Sequence, residues 1–202
     1  MNRFARLFAV AVAFLAPAAA TIGAPEAQAQ PQAGAYALDD AHTSVSFNVR
    51  HLGVSNVPGF FNKVSGKASY DGKDTKTVAV DVQIDAASID TRHAKRDDHL
   101  RSADFFDVAK FPSLTFKSKS ATSAQAGKFR VTGDLTMHGV TKEVTLDVEG
   151  PTAEAKDPYG KTHVGAHATL KVNRKDFGVG PSIPGMVVSE DVGISLDIEL
   201  AK

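Results

Sequence analysis

The chain has 202 residues, with 23 lysines and arginines balanced by 23 aspartates and glutamates. A protein without net charge exerts no long-range attraction on polyanions, which argues against nucleic acid as a partner. The sequence contains no cysteine. An exported form would therefore be held together by its core without disulfides, and a lipid anchor on a cysteine is excluded.

The first 29 residues have the pattern of a secretory signal peptide. Arg3 and Arg6 precede an uncharged, alanine-rich run over residues 7–20, and Ala27-Gln28-Ala29 fits a cleavage site. Cleavage after Ala18 or Ala20 is the alternative position. A retained membrane anchor is disfavoured because a spanning helix needs about 20 apolar residues. We predict cleavage of residues 1–29 and export to a bacterial periplasm, without stable membrane insertion afterwards.

Residues 30–35 read as a flexible lead-in, and residues 36–202 as one domain. Hydrophobic residues in this domain recur at every second position, which is typical of strands with one buried and one solvated face. A further strand near residues 60–70 brings the expected number to about eight. The alternating rows are Val45-Phe47-Val49, Val78-Val80-Val82-Ile84, Leu114-Phe116, Phe129-Val131-Leu135, Val144-Leu146-Val148, Val164-Ala166-Ala168-Leu170-Val172 and Val192-Ile194-Leu196-Ile198-Leu200.

Short links between these rows favour antiparallel neighbours. The exception is a predicted helix over residues 91–103, capped by Asp90 or Thr91, with Ala94, Leu100 and Ala103 facing inward. The fold prediction is an all-β, eight-stranded antiparallel up-and-down barrel with this short helix capping one end. A two-sheet sandwich is the alternative. Small inward residues indicate a cavity, although a solid core of β-branched side chains fits the same pattern.

Motifs for catalysis or metal binding are weak. His163 and His167 lie about 13 Å apart if they occupy one strand, so they cannot share a zinc ion. The chain has no G-x-S-x-G motif, and the glycines at positions 178 and 180 separate two predicted strands, unlike a phosphate-binding loop. We expect no catalytic residues, no cofactor and no metal site.

The segment from Arg96 to Phe106 combines polar and aromatic side chains. Arg96, Asp97 and His99 could form the polar mouth of an apolar tunnel, with Phe105 and Phe106 lining it. In the structural alternative, an Arg96–Asp97 salt bridge ties the helix to the barrel and the two phenyl rings plug one end. We interpret Arg174 and Asp176 as a pair that fixes a loop.

Several motifs together resemble the YceI family of bacterial periplasmic, lipocalin-like proteins. They are Asp40-Ala-His-Thr-Ser-Val-Ser-Phe47, Val49-Arg-His51-Leu-Gly53, Arg96-Asp97-Asp-His99-Leu100 with Asp104-Phe105-Phe106-Asp107, Phe111-Pro112-Ser-Leu-Thr-Phe116, Gly133-Asp-Leu135-Thr-Met-His138-Gly139-Val-Thr141 and Asn173-Arg174-Lys-Asp176-Phe177-Gly178. The resemblance spans residues 36–200. It implies an eight-stranded barrel with an elongated tunnel that binds polyisoprenoids or similar long-chain amphiphiles.

Together these observations predict a soluble, non-enzymatic periplasmic protein that carries or sequesters an isoprenoid lipid. The expected headgroup contacts are His51, Arg96, Asp97 and His99. Two alternatives stay open: an enzyme acting on an isoprenoid or quinone headgroup, with His99 or His51 as base, and a stress-related scaffold for a protein partner. A homodimer is possible. The expected apolar lining is Phe47, Val49, Val80, Val82, Phe105, Phe106, Phe116, Leu135, Leu146, Leu170 and Ile194.

Overall fold

A computed structural model of the protein describes residues 34–125 and 127–202. The predicted signal peptide, residues 1–29, lies outside the described residues, as does the lead-in except for Gly34 and Ala35. Ala35 already belongs to the first strand, where it pairs with Ser69. The first strand thus begins one residue before the predicted start of the domain.

Twelve strands and one α-helix make up the described part of the chain. The helix α1 comprises Ala94–Arg101 and lies between β6 and β7. The strands are β1 Ala35–Leu38, β2 Ser44–His51, β3 Ser55–Phe61, β4 Val64–Ser69, β5 Ala79–Asp85, β6 Ile89–Asp90, β7 Ser113–Gln125, β8 Lys128–Met137, β9 Val140–Glu149, β10 Ala155–Lys156, β11 Thr162–Asn173 and β12 Asp191–Ala201.

The strands close into a barrel with eight walls. Strands β1 and β2 pair with successive parts of β12 and together form one wall, and β3 and β4 form the next. The other six walls are β5, β7, β8, β9, β11 and β12, and each pairs antiparallel with the wall next in the chain. Because β12 pairs with both β11 and β1–β2, the sheet has no open side between first and last walls. The predicted barrel is confirmed, and the sandwich is excluded.

The second wall is interrupted where the sequence predicted one continuous strand. The backbone N–H groups of Asn62 and Lys63 donate to the carbonyl and the hydroxyl of Ser88, at 3.2 and 3.1 Å. Their partners therefore come from a 3₁₀ turn over Ala86–Ser88 instead of a neighbouring strand. The break in the strand depends on hydrogen bonds to Ser88, which lies 25 residues further along the chain. The hydrophobic pattern around residues 60–70 could not reveal it.

Inward residues form two hydrophobic clusters, one in each half of the barrel. The helix-half cluster includes Ile89, Phe105 and Phe177, and the far-half cluster includes Phe129 and Val148. Partly buried side chains shared by both clusters mark the middle of the barrel: Phe116, Leu170 and Leu196. Hydrophobic side chains therefore line the interior of the barrel in both of its halves.

Helix α1 is shorter than predicted. Asp90 accepts a hydrogen bond from the backbone of Arg92, which has a positive φ of 63°, so the chain turns before the helix begins. His93 is the N-cap in place of Asp90 or Thr91, with its Nδ1 accepting from the backbone N–H of Arg96 at 3.3 Å. No helix within residues 34–125 and 127–202 is long and apolar enough to cross a bilayer.

The inward face predicted for the helix is partly wrong. Ala94 and Ala103 are exposed, and only Leu100 packs partly against the core. The chain after the helix supplies the larger contact, since the ring of Phe106 packs edge-on against Phe61 with centroids 5.7 Å apart. The helix and the residues that follow it cover one end of the barrel, as predicted.

Candidate functional site

The barrel encloses a cavity of about 480 Å³. Its lining includes inward residues of β12 from Val192 to Leu200, which span about 26 Å along that strand at the usual rise per residue. Many of these side chains, such as Leu196 and Ile198, point into the barrel and are still only half-buried. They border open space, which distinguishes this interior from a solid core of interdigitated side chains.

All eleven residues predicted to form the apolar lining border this cavity. Their contact with a ligand remains a prediction. They come from seven of the eight walls and from the segment after α1: Phe47, Val49, Val80, Val82, Phe105, Phe106, Phe116, Leu135, Leu146, Leu170 and Ile194.

Two phenylalanines of the lining lie across glycines. A Cβ atom on Gly59 would stand 2.1 Å from Cζ of Phe47, its partner in the register of β2 and β3. A Cβ on Gly133 would stand 2.8 Å from Cζ of Phe116. Each ring occupies the space that a side chain on the neighbouring strand would take, so each glycine lets a ring lie close to the wall.

Three of the four predicted polar residues border the cavity: His51, Arg96 and His99. The guanidinium of Arg96 donates from Nε to the hydroxyl of Thr91 and from Nη2 to the carbonyl of Thr91, both at 2.7 Å. Within residues 34–125 and 127–202, no carboxylate forms an ion pair with Arg96. Its Nη1 group therefore has donors to offer at the edge of the cavity.

Asp97, the fourth predicted polar residue, does not border the cavity. Its side chain is buried, and Oδ1 accepts from the backbone N–H of Thr91 at 2.9 Å and from the Thr91 hydroxyl. Arg96 and Asp97 thus bind the same threonine, and the Arg96–Asp97 salt bridge of the structural alternative does not form. Asp97 holds the start of the helix against the segment that precedes it.

The two histidines at the cavity have different surroundings. His99 Nε2 lies 3.0 Å from a carboxylate oxygen of Asp104, and its ring meets Phe105 edge-on with centroids 5.1 Å apart. His51 ends β2 and forms an isolated β-bridge to Val188 in the loop between β11 and β12. Both residues are exposed.

Arg174 also borders the cavity, and it fixes a loop as predicted, but its predicted pairing with Asp176 was wrong. Its five N–H groups donate to five backbone carbonyls, those of Ser189, Val179, Gly180, Ile183 and Val188. Asp176, its predicted partner, instead lies 3.6 Å from Lys142. Burial lowers the pKa of the Arg174 guanidinium, which nevertheless holds the whole loop between β11 and β12 in place.

The sequence analysis left other lining residues out of the predicted site. Several of them belong to the alternating rows, so their place in a row was the signal that could have identified them as lining residues. These are Val45, Val131, Val164, Leu196, Ile198 and Leu200. Others come from segments without alternation, including Phe61, Ile183 and Val187. No local pattern marks these positions, because the barrel closure brings them to the cavity.

His163 and His167 bind different partners on the outside of β11. His163 Nδ1 lies 2.7 Å from Glu199, and His167 Nδ1 lies 2.8 Å from Asp197. The two rings therefore do not share a site. His163 does belong to a group of three side chains with metal-ligating atoms, and its partners in that group come from other strands.

Comparison with known proteins places this barrel in a family. The family model of the YceI-like domain matches residues 36–200. The chain belongs to the YceI-like family. A UPF0312 protein of Vibrio parahaemolyticus is 42% identical over 173 residues, which cover 85% of this chain and 89% of that protein.

Solved structures agree with this YceI-like fold. The Campylobacter jejuni YceI protein superposes with a TM-score of 0.69 at 33% identity, covering 76% of this chain and 89% of the other. A structure from Saccharophagus degradans, described as a polyisoprenoid binding domain implicated in plant cell wall breakdown, gives a TM-score of 0.59 at 19% identity. It covers 82% of this chain and 97% of that one. At such low identity, this second likeness shows the shared fold alone.

Proposed function

We propose that this YceI-like protein binds a polyisoprenoid or a similar long-chain amphiphile in the barrel cavity, and carries or sequesters it in the periplasm. The observation that carries the proposal is the elongated cavity of about 480 Å³ with a mainly aliphatic and aromatic lining. Cavities of this size are typical of small-molecule sites. The description of the S. degradans neighbour as a polyisoprenoid binding domain supports the same ligand class.

The energetics of such a site favour a chain over a compact ligand. Each buried methylene group contributes about 0.8 kcal/mol. Ten such groups contribute about 8 kcal/mol, which corresponds to a dissociation constant of about 1 μM before the costs of association are subtracted. The apolar wall can therefore hold a long hydrocarbon without a strong polar contact.

The polar residues at the cavity fit a headgroup with hydrogen-bond acceptors. Arg96 has unused donors on Nη1, and His51 and His99 also border the cavity. A guanidinium forms strong charge-assisted hydrogen bonds with phosphate or carboxylate. We assign these three residues to headgroup binding, and we assign Asp97 to the support of the helix because its carboxylate is bound to Thr91.

Binding, and not catalysis, is the proposed activity. The enzyme alternative requires His99 or His51 to act as a base beside a second reacting group. His99 is bonded to an exposed Asp104, and His51 bridges to a loop backbone. Among the described residues, no hydroxyl or other nucleophile is hydrogen-bonded to either ring, so neither histidine has a second reacting group beside it.

Filling the middle of the cavity tests the proposal. Leu170 of β11 borders the cavity and packs against both hydrophobic clusters, and Thr169 beside it is exposed on the outer face. We expect Leu170→Trp to fold and to lower the affinity for a fluorescent isoprenoid analogue about tenfold or more, because the indole occupies the space of the chain. The matched Thr169→Trp variant should bind as the wild type does. Equal binding by both variants would contradict the proposal.

Native mass spectrometry provides a second measurement. Protein purified from the periplasm should carry a lipid-sized mass that organic solvent extracts. The Leu170→Trp protein should lack this mass, and Thr169→Trp should retain it. Wild-type protein that stays free of lipid after incubation with polyisoprenyl phosphate and with the matching alcohol would overturn the function.

A second candidate function is binding of a protein partner, here a second copy of the chain. The tip of the β2–β3 hairpin and the loop between β11 and β12 expose three apolar residues, Leu52, Val54 and Met186, at 57%, 79% and 80%. A hydrogen bond from Leu52 to Val187 joins the two segments. Sedimentation velocity should show self-association that Val54→Ser with Met186→Ser abolishes. A wild-type monomer at every concentration would exclude this candidate.

A further inference from the structure

A group of metal-ligating side chains lies on the outer face of the barrel, away from the lipid cavity. Ligand atoms of Asp39, His163 and Glu199 all lie within 4.8 Å of one another. These residues come from three adjacent walls: the end of β1, β11 and β12. No two of them are close in sequence.

Strand pairing brings the three residues together. The N–H of Asp39 donates to the carbonyl of Glu199 at 2.9 Å, just beyond the paired residues Leu38 and Leu200. On the other side of β12, Glu199 pairs with Gly165, two positions along β11 from His163. Gly165 has no side chain to cover the carboxylate of Glu199, so the ring of His163 reaches it diagonally, with Nδ1 and Oε1 2.7 Å apart.

The surroundings of His163 are those of a histidine prepared to bind a metal. Its Nε2 faces Oδ2 of Asp157 at 3.3 Å. The other oxygen of Asp157 accepts backbone N–H groups from Tyr159 and Lys161, at 2.8 and 2.9 Å, so this carboxylate is fixed. A histidine that binds a metal through one nitrogen usually donates its other N–H to a carboxylate or carbonyl, which sets the orientation of the ring. Asp157 fills that role here.

The charges also favour a cation. Within residues 34–125 and 127–202, no lysine or arginine forms an ion pair with Asp39, Asp157 or Glu199, whose ion-pair partners there are His42 and His163. His42 donates from Nδ1 to Oδ2 of Asp39 at 3.1 Å. Three carboxylates therefore converge on an area in which, among the described residues, none of them is paired with a lysine or an arginine.

We propose that Nδ1 of His163 and the carboxylates of Asp39 and Glu199 bind a divalent transition-metal cation, with Asp157 orienting the imidazole. One nitrogen and two oxygen ligands suit zinc at about 2 Å, with a fourth position left to water. Tetrahedral ligands at about 2 Å from one zinc ion lie roughly 3.3 Å apart. The three atoms, which lie within 4.8 Å of one another, therefore need only small side-chain shifts to reach that arrangement. The expectation of no metal site considered histidines along a single strand, and these ligands come from three walls.

The position of the site gives the metal a structural consequence. Strand β1 pairs with β12 at only two residue pairs, Ala37 with Ala201 and Leu38 with Leu200. A cation bound by Asp39 and Glu199 would connect these two walls immediately beyond the last pair. Binding to the folded form alone raises the free energy of unfolding by mass action.

Isothermal titration of the untagged, chelator-treated protein with ZnCl₂ tests the proposal. We expect one Zn²⁺ per chain in the wild type, and at least about tenfold weaker binding in His163→Ala and in Glu199→Gln. His167→Ala is the matched control, because His167 is an outer-face histidine on the same strand that also pairs with one carboxylate. It should bind zinc as the wild type does. Circular dichroism before titration selects folded variants.

The visible absorption of cobalt(II) reports directly on the atoms that bind the metal. Cobalt(II) added in place of zinc should give visible absorption of a low-coordinate nitrogen and oxygen site, absent in His163→Ala. Zinc should raise the melting temperature of the wild type and of His167→Ala, but not of Glu199→Gln. The proposal is overturned if the wild type binds no zinc, if both ligand variants bind it as tightly as the wild type, or if His167→Ala loses it equally.

Discussion

Two arginines border the same cavity, and their neighbourhoods differ. All five donors of Arg174 are used by backbone carbonyls of one loop, and the side chain is 4% exposed. Arg96 makes two hydrogen bonds, both to Thr91, and keeps an unused Nη1 group. The difference shows that the number of uncommitted donors, and not position at a cavity, separates a structural arginine from a candidate binding residue.

The sequence analysis predicted an ion pair of Arg174 with Asp176, and it gave an ion pair of Arg96 with Asp97 as the structural alternative to headgroup binding. Neither pair forms. Asp97 is taken by Thr91 and Asp176 by Lys142, because each has a partner in the fold that the local sequence does not reveal. Substitutions can therefore distinguish a role in stability, expected for Arg174 and Asp97, from a role in ligand binding, expected for Arg96.

The largest effect is expected at Arg174. Replacing it with methionine keeps the length of the side chain but leaves five carbonyls without their donor. We expect Arg174→Met to lower the free energy of unfolding by about 4 kcal/mol or more, measured by urea denaturation. The control is Lys171→Met on the same strand, whose exposed pair with Asp191 should contribute less than about 1 kcal/mol. Similar losses in both variants would contradict the structural role of Arg174.

A smaller effect on stability is expected at Asp97. Asp97→Asn removes the charge that accepts two hydrogen bonds from Thr91, and the residue is buried. We expect a loss of about 1–3 kcal/mol in the free energy of unfolding. The affinity for an isoprenoid should stay within about threefold of wild type. A tenfold loss of affinity without a loss of stability would return Asp97 to the headgroup site.

The smallest free-energy change is expected at Arg96, and it concerns binding. Arg96→Gln should lower the affinity for a polyisoprenyl phosphate about tenfold, which equals 1.4 kcal/mol. Its affinity for the matching alcohol should not change, because the neutral headgroup does not need a cation. Fluorescence competition measures both. Equal losses for the two ligands would show that Arg96 acts only through the shape of the helix.

Much of the fold was predictable from alternation alone. The rows from Val45 to Leu200 identified most walls and about half of the residues that line the cavity, because a period of two fixes which side chains face inward. The broken second wall and the short helix were not predictable. They depend on Ser88 and Asp90, whose hydrogen bonds replace those of regular structure.

The candidate sites likewise include one that the sequence could predict and one that it could not. Phe47, Leu170 and Ile194 could be assigned from single strands, whereas the group of Asp39, His163 and Glu199 depends on the pairing of three. A search along one strand correctly separates His163 from His167, and it cannot find ligands on neighbouring strands. A site whose ligands lie on several strands can be predicted only when the pairing register of those strands is known. The sequence alone did not give the register of β12 with β1 and β11.

The glycine opposite Phe47 has a consequence for ligand choice. A methyl group at position 59 would collide with the ring of Phe47, whose escape is toward the axis of the tunnel. One added carbon atom on this strand would thus narrow the bore and shorten the longest chain that fits. A relative with alanine at this position would accept shorter tails with every contact residue unchanged.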